Sequence, residues 1–201
     1  ASPRERWHLG AAVAVSDDED ASWGSASHGI FAIGEASFTS EQRCFGGTGT
    51  AQYRAGFWYR TDKEANSDEE QRGAYLSLNQ PVWRASEHSG DEGGLGVFAR
   101  LGWADGPAAE LKHFWSLGLQ YEGLHGDEDA LGVGMGRGGF ADAKEADAPA
   151  GSETVWELYY QTPITPQIAV SPSIQYIADP GGEAAGKDAL AVALRLQIAL
   201  E

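Results

Sequence analysis

Glu153-Thr-Val-Trp-Glu-Leu-Tyr-Tyr-Gln-Thr-Pro-Ile-Thr-Pro-Gln-Ile-Ala-Val-Ser-Pro-Ser-Ile-Gln-Tyr-Ile-Ala-Asp-Pro-Gly-Gly182 reads as two strands of alternating character joined by a tight, proline-bearing turn at residues 162–166. In the second arm Ile168, Val170, Ile174 and Tyr176 fall on one face, while Gln167, Ser171, Ser173 and Gln175 fall on the other. That two-residue period belongs to a strand whose two faces meet different surroundings. An apolar face opposed to hydroxyls and amides suits a barrel with lipid outside and water inside.

The same pattern recurs outward from this hairpin. Ten segments read as strands, at residues 6–15, 29–39, 48–60, 73–83, 94–103, 112–123, 130–138, 153–161, 167–177 and 188–200. Each is roughly 9 to 13 residues, longer than an ordinary globular strand and close to what a tilted strand needs to cross a bilayer. Regular length with regular punctuation predicts an antiparallel up-and-down transmembrane β-barrel. Alternation is plain where Ala51, Tyr53, Ala55, Phe57 and Tyr59 interleave with Gln52, Arg54, Gly56, Trp58 and Arg60. It is as plain where Leu190, Val192, Leu194, Leu196 and Ile198 interleave with Ala189, Ala191, Ala193, Arg195 and Gln197.

Alternation alone leaves two orientations open, because a soluble barrel would turn the apolar face inward. Two features favour the membrane version. Aromatics sit near strand ends, at Trp7, Tyr59, Trp83, Trp103, Trp115, Tyr121, Trp156 and Tyr176, as interfacial girdles require. The polar face is also rich in Gly and Ser and poor in Lys and Glu pairs. If the last strand ends in the periplasm, the links at 16–28, 61–72, 104–111, 140–152 and 179–187 face outward. The tight link at 162–166 then lies on the periplasmic rim.

Composition sets the outer limits. With 201 residues, 42% of them hydrophobic, and 7 each of Trp, Tyr and Phe, wholesale disorder is excluded. No run of about 18 apolar residues exists, so a helical membrane span is excluded too. A mean hydropathy of −0.37 does not argue for solubility, since alternating strands keep the average low. The net charge of −16 argues against nucleic acid and against simple attraction to anionic headgroups. Acidic residues cluster at 17–20, 64–70, 91–92, 127–129 and 142–147, which read as solvated loops. None has the spacing and central Gly of an EF-hand loop, so no metal is expected. Cys44 is alone, which excludes a disulfide framework or a Cys-based metal site. The chain starts at Ala1 without Met or an apolar signal segment and reads as processed or partial. Residues 142–150 lack an apolar stripe and read as loop, and no segment reads as helix.

Catalysis finds no support. His8, His28, His88, His113 and His125 are scattered, with none in a paired-ligand spacing, and no Gly-x-Ser-x-Gly elbow is present. Ser116 lies near His113, a proximity expected by chance. The run Gly132-Val-Gly-Met-Gly-Arg-Gly-Gly139 lacks the helix and Lys-Ser/Thr of a phosphate loop. It reads instead as a strand kept slim beside a crowded interior. Neither an enzyme nor a cofactor is expected.

Five blocks carry a family resemblance: Gly56-Phe-Trp-Tyr59; Gly94-Leu-Gly-Val-Phe-Ala-Arg100; Gly118-Leu-Gln-Tyr-Glu-Gly123 with Asp129-Ala-Leu-Gly-Val133; Glu153 to Tyr160; and Pro172-Ser-Ile-Gln-Tyr-Ile-Ala-Asp-Pro-Gly-Gly182. In this order and spacing they resemble the C-terminal half of the OprB-type carbohydrate-selective porins of Gram-negative outer membranes. The resemblance spans most of Trp7 to Leu200, and its last block is the most specific. It implies a sixteen-stranded barrel through which sugars such as glucose diffuse passively across the outer membrane. With ten strands visible, residues 1–201 read as one β-barrel domain, the C-terminal part of a larger porin barrel or a shortened relative closing a narrower one. The terminal Ile198-Ala-Leu-Glu201 departs from the aromatic end common in outer-membrane barrels.

A pyranose offers hydroxyls and apolar CH patches, so selectivity for sugars needs donors and acceptors beside aromatic faces. The inward positions supply all of these: Gln52, Arg54, Trp58, Arg60, Phe98, Arg100, Gln120, Glu122, Glu153, Glu157, Tyr159, Gln175 and Arg195. Arg and Glu opposed across a pore would add a transverse field that orders water. The expected partners are small neutral sugars and outer-membrane lipids, without nucleic acid, and both monomer and trimer stay open. Two other readings stand beside the channel: a soluble or periplasmic β-barrel ligand-binding module, and a non-conducting barrel filled by side chains.

Overall fold

A computed structural model describes residues 5–16, 29–64, 67–85, 93–106, 111–126, 129–140, 151–183 and 186–199. Ten strands form one sheet: β1 (Glu5–Ser16), β2 (Gly29–Cys44), β3 (Gly47–Glu64), β4 (Ser67–Arg84), β5 (Gly94–Asp105), β6 (Leu111–Glu122), β7 (Ala130–Phe140), β8 (Ser152–Thr165), β9 (Ile168–Ala178) and β10 (Ala189–Ile198). Sheet order follows chain order, and every neighbouring pair is antiparallel. In the described sheet β1 and β10 are the two edges. Among the described residues the only other element is a single 3₁₀ turn at Pro180–Gly182.

Strand number and order match the sequence expectation, whereas several strands run longer than alternation indicated. The link expected at 61–72 is mostly strand, since β3 continues to Glu64 and β4 begins at Ser67. Residues 40–44 extend β2, leaving only Phe45 and Gly46 between β2 and β3. The turn expected at 162–166 shifts to Pro166 and Gln167, because β8 runs to Thr165. The stretches at 40–44 and 61–72 are mostly polar in sequence, and 162–165 is too short to alternate, so none carries a two-residue hydrophobic signal. The loop reading of 142–150 lies outside the described residues.

The β2–β3 turn requires its glycine twice over. Gly46 has φ 85°, a conformation that costs an L side chain, and an added Cβ would stand 2.1 Å from the Arg84 carbonyl oxygen. That close approach lets Phe45 bond across to β4: its N–H donates to Val82 O at 3.1 Å, and its carbonyl accepts from Arg84 N–H at 2.8 Å. Here the β4–β5 register shifts between Pro81 and Trp83. Proline cannot donate to the ladder, and a bulge beside it reverses which side chains point to which face.

Ala51 and Ala130 are the only buried hydrophobic residues among those described, so the described residues form no apolar core. Even on interior strands Leu76, Leu101, Leu117 and Leu158 are 55%, 53%, 57% and 51% exposed. Ser171 and Ser173, on the opposite face of β9 from the exposed Ile174, are buried, so the sheet curls toward its polar face. Removing each large apolar side chain from water is worth roughly 1.5–3 kcal/mol. A handful left wet would outweigh the ~5–15 kcal/mol margin of a folded domain. The apolar face is thus the exposed one, and the soluble arrangement with that face inside is not the one formed.

Candidate functional site

Register places the eight sequence-singled aromatics, Trp7, Tyr59, Trp83, Trp103, Trp115, Tyr121, Trp156 and Tyr176, on the apolar face. They fall into two bands. Tyr59, Trp103, Trp115, Trp156 and Tyr176 lie toward the end carrying the β3–β4, β5–β6, β7–β8 and β9–β10 links. Trp7 lies toward the other end, as do Trp83 and Tyr121, which stack on each other at 6.2 Å. On β5, Trp103 and the Leu95 row shared with Trp83 and Tyr121 are eight residues apart. That is about 27 Å along the strand, or about 20 Å of bilayer at ~40° tilt, near the height of an outer-membrane apolar band.

The other face is the candidate site. All thirteen residues expected to point inward share it: Gln52, Arg54, Trp58 and Arg60 on β3, Phe98 and Arg100 on β5, Gln120 and Glu122 on β6, Glu153, Glu157 and Tyr159 on β8, Gln175 on β9, and Arg195 on β10. Five of them, Phe98, Arg100, Gln120, Glu122 and Tyr159, line one cavity of about 460 Å³ with Asn79 and Arg84. Trp58 and Arg60 line a second, of about 580 Å³, with Phe31 and Gln71 toward the opposite end. Gln52 accepts from Arg54 at 3.0 Å, and Glu157 accepts from Gln175 at 3.1 Å. Glu153 holds the Gly181 N–H at 2.9 Å, and Arg195 is exposed on the edge strand.

Within the first cavity the polar groups form a chain. Arg84 Nη1 donates to Glu122 Oε2 at 2.6 Å, Gln120 Nε2 to Glu122 Oε1 at 3.1 Å, and the Tyr159 hydroxyl to Gln120 Oε1 at 2.5 Å. Tyr159 reaches across the intervening strand because β7 offers glycine there: a Cβ on Gly132 would stand 2.2 Å from the Tyr159 ring. Phe98 lies over Gly118 and Gly134, and Tyr75 lies over Gly56 to donate to Glu35 at 2.6 Å. The glycine run of β7 is thus the floor on which neighbouring side chains lie flat, in agreement with a slim strand beside a crowded interior.

The family model described as carbohydrate-selective porin, OprB family, matches residues 8–200. The chain belongs to the OprB family. A solved structure titled "High pH structure of Pseudomonas putida OprB" shares the fold, with a TM-score of 0.66 at 22% identity over 85% of this chain. The match covers 48% of that structure, so the chain spans about half the length of the porin it resembles. No curated protein sequence matches it.

Sequence reasoning missed several members of this OprB-family wall. Arg84 lies beyond the Pro81/Trp83 register shift, so simple alternation would put it on the apolar face, whereas the shift turns it to Glu122. Glu35 and Asn79 sit on strands whose alternation is weak, and they too face the polar side. Asp129, taken as part of a solvated acidic loop, is buried and accepts from Leu124 N–H at 2.7 Å, His125 N–H at 2.9 Å and the Tyr160 hydroxyl at 2.6 Å. Ser116 and His113 lie on opposite faces of β6, which removes any Ser–His pairing.

Proposed function

We propose that this chain forms part of the wall of an outer-membrane channel through which small neutral sugars such as glucose diffuse passively. The supporting observation is the pairing of an exposed apolar face with a hydrogen-bonded face of Arg, Glu, Gln and Tyr, on a chain of the OprB family. Glu122, Arg84, Gln120 and Tyr159 supply the donors and acceptors that replace water around sugar hydroxyls, while Phe98 and Trp58 supply apolar surface. Residues 1–201 act as one section of a larger barrel, and further strands pair with the β1 and β10 edges, which would otherwise invite aggregation. The end bearing the β8–β9 turn faces the periplasm. No energy source or bound group enters this scheme: the solute follows its gradient.

Liposome swelling tests it. Vesicles carrying the full chain should swell faster in D-glucose than in gluconate of similar size, and control vesicles should swell in neither. Equal rates for the two solutes, or no permeation, would overturn the selective-channel reading.

A further inference from the structure

Among the described residues two arginines, Arg72 and Arg137, lie on the apolar face, both at the end that carries Tyr59, Trp103, Trp115 and Trp156. They differ in how their charge is met. Arg72 donates to Asp105, its register partner, at 3.2 Å, whereas Arg137 donates to the Ser152 hydroxyl at 2.6 Å and has no carboxylate partner among the described residues. We propose that Arg137, with Ser152 and His113 beside it, binds the phosphate headgroup of a membrane lipid whose acyl chains lie along the apolar face of β6, β7 and β8. This rests on the part of the reading above that turns the apolar face to lipid, and it adds a specific lipid partner.

The backbone of β7 gathers the donors. Gly139 follows Arg137 on the same face, and the His113 imidazole lies over it, where a Cβ would collide with the ring. That brings His113 across from β6 to the side of Arg137. Trp115 is the register partner of Arg137, and Ser152 is that of Gly139, so guanidinium, hydroxyl, imidazole and indole meet at one spot. Ser152 accepts from Arg137, which leaves its own hydroxyl proton to donate, and Arg137 keeps its remaining N–H groups. A planar fork of N–H donors matches the oxygens of a phosphate.

Charge and depth decide the ligand class. The acids nearest in sequence and register are already engaged: Glu153 faces the other side and holds the Gly181 N–H, and Asp188 takes the Tyr176 hydroxyl. Arg137 is therefore one positive charge left over on a chain of net charge −16, which as a whole has no attraction for anions. An arginine on the lipid face is costly at mid-bilayer and nearly free at the interface, where tryptophans mark the headgroup level. Next to Arg137 along the strands come the Leu117, Met135 and Trp156 row and then Val133 and Leu158, all apolar. A cation at the edge of an apolar column fits a ligand with an anionic head and hydrocarbon tails.

The test is quenching of tryptophan fluorescence in vesicles that carry the full chain, with brominated phosphatidylcholine or brominated phosphatidic acid diluted into unlabelled phosphatidylcholine. Wild type should favour phosphatidic acid about tenfold, the value of one hydrogen bond to a charged group, and should keep that preference in a buffer of inorganic phosphate. Arg137→Gln should bring the ratio to about one, and Arg137→Lys, which keeps the charge without the fork, should retain part of it. Arg43→Gln, which removes one charge from the polar face, should leave the ratio unchanged. Heat-modified gel mobility confirms that each variant folds. Equal quenching by the two lipids in wild type, or a preference that survives in Arg137→Gln, overturns the site, while quenching by phosphatidylcholine keeps the apolar face in lipid. Quenching by neither overturns the lipid-facing assignment and the site together. A preference abolished by inorganic phosphate overturns the lipid assignment in favour of free phosphate.

Discussion

Arg84 and Asp129 show how much a single position depends on its backbone surroundings. Arg84 is aimed by the Pro81/Trp83 bulge and joined to Glu122 at 2.6 Å. Arg84→Ala leaves that carboxylate with Gln120 alone, so the reversal potential in a KCl gradient should move toward cation preference. Asp129 is held below its usual carboxylate value, first by the Tyr160 hydroxyl and then by the N–H groups of His125, Leu124 and Gly126, with burial pulling the other way. A depressed native value means the turn gains stability above the unfolded pKa of about 3.9 and loses it as pH falls through the lower native value. Hydrogen exchange at Leu124 and His125 should stay slow at about pH 4 and quicken only below it. In Asp129→Asn the step should vanish.

At the scale of the strand, the recurring unit is a glycine on one strand roofed by an aromatic from another. Gly132 under Tyr159, Gly118 under Phe98, Gly73 under Trp58 and Gly56 under Tyr75 all follow it. Gly132→Val should cost about 1–3 kcal/mol through overpacking, read as a lower urea midpoint in micelles. Adding Tyr159→Ala should return part of that loss, which a purely conformational effect of valine would not allow. Most of the strand layout was legible in the sequence because Tyr53 to Tyr59 and Leu190 to Ile198 alternate without interruption inside the apolar band. The stretches at 40–44 and 61–72 were not, because their residues are mostly polar in sequence and carry no apolar alternation. The thirteen polar-face residues were legible for the same reason as the strands. Arg84 was hidden by a bulge, and the glycine–aromatic pairs by being cross-strand contacts that no local pattern records.

At the scale of the whole molecule, the described residues present an apolar surface rather than an apolar core. Leu117→Arg or Leu158→Arg, on the apolar face, should cost ~2–4 kcal/mol in lipid if placed near mid-bilayer. Ser116→Arg, one position away on the polar face, should stay within about 0.5 kcal/mol. Unfolding midpoints in the same vesicles compare the three. The face assignment itself is open to a direct reading: nitroxide labels placed singly from Val155 to Tyr160 on β8, in a Cys44→Ser background, in reconstituted vesicles. Labels at 156, 158 and 160 should relax with oxygen, which concentrates in lipid, and those at 155, 157 and 159 with a water-soluble nickel chelate. The reverse alternation, or none, would contradict the account.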